Sequence, residues 1–83
     1  MPKFEELEKE NTKLLDEYAK MEEPTLLFKE RIKALVKKLG DAYTDINEEV
    51  VQNPKGVGVT AQLRAQMRKL SLWMRTWDKV LKS

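Results

Sequence analysis

Apolar side chains recur every three or four positions through three stretches of this chain and lose that rhythm between them. In the first stretch Phe4, Leu7, Asn11, Leu14, Tyr18 and Met21 alternate three and four apart, the spacing of a heptad seam, and predict a helix over 4–22. Pro24 closes it, because proline drives the preceding Glu23 toward extended geometry and suits the first turn of a new helix. In the second stretch Phe28, Ile32, Leu35, Leu39, Ala42, Tyr43, Ile46 and Val50 share one face at a 3.6-residue period, which predicts a helix over 25–50. Gly40-Asp41 offers a break inside it, yet the apolar phase runs through Gly40 without a slip. One long helix, bent if anything, is the reading.

The rhythm stops at VQNPKGVGV, residues 51–59, where Asn-Pro and two glycines mark a loop. Thr60 then reads as the N-cap of a third helix over 60–82. At about 100° per residue, Leu63, Met67, Leu70, Trp73, Met74, Trp77, Val80 and Leu81 fill a band roughly 140° wide. That is broader than a strict two-stranded seam and suits a bundle, so both tryptophans are expected to face inward. The fold class that follows is all-α. The second and third helices form an antiparallel hairpin, and the first packs on it in cis or in trans as a coiled-coil-like three-helix bundle.

Size adds one expectation. Eighty-three residues make a single domain, 1–83, with a modest core and neither cysteine nor histidine to staple it. A second copy would relieve that shortage, so a homo-oligomer is expected, with Asn11, Leu14, Tyr18, Leu63, Met67, Leu70, Met74, Trp77 and Leu81 as its core or oligomer seam. Asn11 is the odd member. A buried seam asparagine costs stability and selects register or strand number, so a leucine there is expected to raise stability; the alternative is that a short helix simply tolerates one polar residue.

Charge changes the picture more than size does. The net charge of +2 hides a gradient: −4 over residues 1–24, zero over 25–50 and +6 over 51–83. Within the second helix the lysines and Arg31 come first and Asp41, Asp45, Glu48 and Glu49 last, the wrong order for a helix dipole. In an antiparallel hairpin Arg64 and Arg68 are expected to approach Asp45, Glu48 and Glu49, while Asp16, Glu17, Glu22 and Glu23 of the acidic first segment cover the basic end. On the third helix Arg64, Arg68, Arg75, Lys79 and Lys82 fall within roughly 60° of one another, opposite the apolar band. This stripe reads either as a solvated, salt-bridged face or as a candidate face for an anion or a partner. Leu72 shares that polar sector, where a lone monomer has little use for it.

Catalytic chemistry is not legible. Without cysteine or histidine there is no thiolate site, no usual metal ligand set and no ordinary general base, and no nucleophile elbow or Walker loop occurs. The pairs Glu22-Glu23 and Glu48-Glu49 read as solvated helix surface. No catalytic residue, metal or cofactor is therefore expected. PKGVGVT, residues 54–60, is a weak phosphate loop, with Lys55, Gly56, Gly58 and Thr60 leading into a helix N-terminus. No apolar run reaches the roughly 18–20 residues of a membrane span, and MPKFEELEKE lacks a signal-peptide core, so a soluble, cytoplasmic chain is expected.

The functional expectation is a non-enzymatic helical interaction module that self-associates and binds another macromolecule, in the manner of a small adaptor, regulator or inhibitor. The alternative is a nucleic-acid or phosphate-ligand binder using the basic stripe and the loop at 54–58.

Overall fold

The computed structural model describes residues 4–52 and 57–82. Among them the chain is entirely helical: α1 (Phe4–Lys20), α2 (Leu26–Gln52) and α3 (Val57–Lys82). The helices run up, down and up. Glu10 meets Lys38 and Glu17 meets Arg31, so α1 and α2 are antiparallel. Phe4 meets Trp73 and Asn11 meets Trp77, so α3 returns alongside α1. The first helix thus packs in cis, in a rod of 48 × 21 × 17 Å.

Local chemistry explains the ends. The last turn of α1 tightens as the Met21 N–H donates to the Tyr18 carbonyl at 3.3 Å, and the helix stops at Lys20, two residues short of the expected end. Thr25 caps α2: its Oγ1 accepts from the Phe28 N–H at 3.0 Å and its carbonyl from the Lys29 N–H at 3.0 Å. The cap is therefore Thr25 itself, with Pro24 just outside the helix.

α2 passes through Gly40 unbroken and continues to Gln52, past the expected end at Val50. α3 starts at Val57, three residues before the expected start. Both extensions have the same cause. Once a helix is nucleated, each further residue adds a hydrogen bond at little cost, so Val51, Gln52 and even Gly58 are carried along. Thr60 is consequently inside α3 and is not its N-cap.

The core is built from all three helices. Leu7 and Leu14 of α1 meet Phe28, Ile32, Leu35, Leu39 and Ala42 of α2, and Leu70, Trp77 and Val80 of α3. Trp77, fully buried, is the centre of an aromatic group, with Tyr18 at 6.2 Å and Phe28 at 6.5 Å, both edge-on. At the other end of α1, Phe4 stacks on Trp73 at 5.5 Å.

Four of the expected seam residues, Asn11, Leu14, Leu70 and Trp77, are buried inside this one chain, while Tyr18, Leu63, Met67, Met74 and Leu81 are half-buried. Asn11, 2% exposed, finds its partner within the same chain. Its Oδ1 accepts the Trp77 indole N–H at 2.6 Å. The coiled-coil reading of Asn11 as a register device between strands is replaced by a hydrogen bond between α1 and α3.

The hairpin outruns its third helix. α1 has 17 residues against 27 in α2 and 26 in α3, so at 1.5 Å per residue it is shorter by roughly 14 Å. Burial stops where α1 stops: toward the hairpin turn Ile46, Val50, Leu63 and Met67 are only half-buried.

Two substitutions probe this packing. Asn11→Leu should lower stability by about 1–3 kcal/mol, the cost of leaving the buried Trp77 N–H without an acceptor, rather than raise it; urea denaturation measures the sign. Gly40→Ala should raise stability by about 0.5–1 kcal/mol, because Gly40 is helical and an added Cβ would meet only the Met74 sulfur, at an ordinary 3.9 Å. A loss of stability would mean that α2 and α3 approach more tightly there.

Candidate binding face

The reversed charge order of α2 is explained by α1. Lys38 Nζ lies 3.4 Å from Glu10 Oε1 and donates to it, and Arg31 Nη1 lies 3.0 Å from Glu17 Oε2. That oxygen is buried and makes no hydrogen bond, so the Arg31 contact is an ion pair with its N–H bonds directed elsewhere. The Arg31 guanidinium also lies over the Phe28 ring, 5.7 Å from its centre. On the opposite flank of α1, Glu8 reaches Lys69 of α3 at 3.7 Å, and Lys69 lies 5.9 Å from the Phe4 ring centre. The basic half of α2 is thus met by α1, through Glu17, one of the expected acids, and through Glu10, which is not among them. Asp16 pairs instead with Lys20 of its own helix at 3.1 Å.

The stripe on α3 behaves differently. Arg64, Arg68, Arg75, Lys79 and Lys82 are all exposed, as their position opposite the apolar band requires. Lys82 pairs along its own helix with Asp78, 3.0 Å away. Among the described residues, Arg64, Arg68, Arg75 and Lys79 have no ion pair.

The expected approach of Arg64 and Arg68 to Asp45, Glu48 and Glu49 therefore does not occur. Its failure is one of rotation. Counting about 100° per residue on α2, Asp45 and Glu49 fall on the flank that carries Arg31 and Lys38, the α1 side, while Asp41 and Glu48 turn to the face opposite the core. Val36, Gly40 and Tyr43 fall on the α3 side. Antiparallel register brings the right residues level with one another, on the wrong sides of the helix.

What adjoins the stripe is an open groove of about 530 Å³ along the outer side of α3. Its lining is Tyr43 of α2 together with Arg64, Met67, Arg68, Ser71, Leu72 and Arg75 of α3. Leu72 is 60% exposed and Tyr43 36%, so a large apolar group and an aromatic ring stand in water among guanidinium groups.

The expected phosphate loop is described only in part. Lys55 and Gly56 lie outside the described residues, and Gly58 and Thr60 are both within α3. Among the described residues no group of acidic side chains has the arrangement to hold a metal ion, and no helix is long and apolar enough to cross a membrane. No family model, curated protein or solved structure matches this chain.

Because Arg68, Arg75 and Lys79 make no ion pair with the described chain, changing all three to Gln should shift stability by no more than about 0.5 kcal/mol. Helix content by circular dichroism should stay unchanged. A large loss would show that these cations hold the bundle together.

Proposed function

We propose that the chain is a non-enzymatic helical interaction module that holds an acidic partner protein against the outer face of α3. One observation carries this: Arg64, Arg68 and Arg75 line an open groove, and no carboxylate of the described chain pairs with them. Elsewhere Arg31, Lys38 and Lys69 are matched across helices, while Lys9, Lys13, Lys29, Lys33 and Lys37 are spread over the surface without an ion pair among the described residues. A row of cations left unmatched raises the local concentration of an anionic partner and speeds its arrival. The proposal needs no self-association, since four of the seam residues that argued for it, Asn11, Leu14, Leu70 and Trp77, are buried within one chain.

A second reading, nucleic-acid binding, is favoured by the length of the stripe. Positions 64 to 82 extend for roughly 27 Å along the helix, enough to follow several phosphates. Against it stand the apolar members of the groove and its single half-exposed ring, which give bases little to stack on.

Fluorescence anisotropy with labelled polyglutamate, single- and double-stranded DNA and RNA separates the two. The expected outcome is binding of polyglutamate at low salt that falls at least about tenfold in a variant with Arg64, Arg68 and Arg75 changed to Gln. Absence of binding to every probe overturns the proposal. Sub-micromolar nucleic-acid binding with a steep salt dependence replaces it with the second reading.

A further inference from the structure

The α2–α3 hairpin has two long sides, and one of them already carries a helix. α1 lies there by placing Leu7 and Leu14 into the core while its flanking acids reach Arg31 and Lys38 on α2 and Lys69 on α3. An acidic amphipathic helix between cationic rims is thus a solution this hairpin uses itself. The groove on the outer side of α3 offers the same ingredients, with Met67, Leu72 and Tyr43 as apolar and aromatic lining beside three guanidinium groups.

The choice of residues narrows the occupant further. The chain has four arginines, and three of them line this groove, while Lys79 and Lys82 of the same helix lie outside its lining. Arginine presents a flat, weakly hydrated fork that meets carboxylates two bonds at a time and tolerates burial at an interface far better than lysine. Tyrosine, methionine and arginine are also the residues enriched where proteins meet proteins. A surface that only attracted phosphate chains would gain nothing from an exposed leucine between its arginines.

Spacing sets the register. Arg64, Arg68 and Arg75 stand at i, i+4 and i+11, so along the helix axis they are separated by about 6 Å and then about 10 Å. A helix lying against α3 meets all three with carboxylates at the same intervals, read in either direction. Between them it needs a large apolar side chain, two or three residues from a carboxylate, to settle against Met67 and Leu72.

Resting on the reading above that this face takes an acidic protein, we infer that the groove along α3 is a docking site for an acidic amphipathic helix of a partner protein. Its carboxylates engage Arg64, Arg68 and Arg75, and its apolar edge packs on Leu72, Met67 and Tyr43. This is recognition of a helix in a groove, with the charged groups setting direction and the apolar lining setting residence time.

The test uses labelled peptides of about 18 residues, or five helical turns. One carries glutamates at i, i+4 and i+11 with leucines between them on the same face. A second has identical composition with the leucines moved to the opposite face, and a third is polyglutamate. The first should bind the full-length protein at least about tenfold more tightly than the others. Arg68→Gln with Arg75→Gln should remove that binding, and Leu72→Asn or Tyr43→Ser should each weaken it several-fold while circular dichroism stays unchanged. If a variant fails to fold, titrating unlabelled polyglutamate against the bound amphipathic peptide on the unaltered protein reads the same preference.

Equal binding of the three peptides, or no response to changes at Leu72 and Tyr43, overturns the inference and leaves the acidic-partner proposal standing. Binding of none of them removes both. Displacement of the amphipathic peptide by duplex DNA or RNA at lower concentration than by polyglutamate also overturns the inference, in favour of a phosphate backbone.

Discussion

Trp77 donates its indole N–H from a position that water does not reach, and the acceptor stands on a different helix, 66 residues earlier in the sequence. A buried donor of this kind has an asymmetric energetics: the bond contributes about 1 kcal/mol when made, and its loss costs up to about 3 kcal/mol. α1 can therefore neither slide along the hairpin nor rotate on it without breaking that bond. Apolar contacts tolerate a shift of two turns far better, because it would bring Leu7 to the place of Leu14, a chemically identical residue. The polar contact turns a merely greasy helix–hairpin contact into one with a defined register, and the edge-on rings of Tyr18 and Phe28 around the same indole depend on it.

Given that register, the distribution of charge follows. Once Asn11 is fixed against Trp77, Glu10 and Glu17 fall beside Lys38 and Arg31, and Glu8 beside Lys69. Each of these exposed or half-exposed pairs contributes little by itself. Together they use α1's acids on the inner flanks of the bundle, which leaves the arginines of α3 to the far side. α3's own sequence turns its arginines outward, and the seating of α1 engages its acids elsewhere.

Much of this architecture is legible in the chain, and what is not legible shares a cause. Periodicity alone locates three helices, keeps α2 continuous through Gly40, turns Trp77 inward and puts Arg68 and Arg75 outward, because each of these depends only on a residue's angle around its own helix. It marks Asn11 as an inward polar residue but cannot supply its partner, since an indole N–H sits within an apolar band and carries no pattern of its own. The expected meeting of Arg64 with Glu49 fails for a related reason. Height along a hairpin can be counted from its turn, whereas the relative rotation of two helices is set by a third, and α1's position is the least determined quantity in the sequence. The groove beside Tyr43 needs that rotation too. Leu72 is its one advance signal, as an apolar residue placed where the fold does not ask for one.

The mismatch in helix length has a dynamic consequence. Along the rod, the half covered by α1 draws on three layers of contact, while the half nearer the hairpin turn draws on two, with Ile46, Val50, Leu63 and Met67 only partly shielded. Amide hydrogens at the two ends should therefore exchange by different routes: around Trp77 and Leu35 through global unfolding, and around Ile46 and Leu63 through smaller, easier openings. The groove straddles that boundary, with Arg64 and Met67 on the softer side and Leu72 and Arg75 on the firmer one. One wall of the groove thus rests on three layers of packing and the other on two.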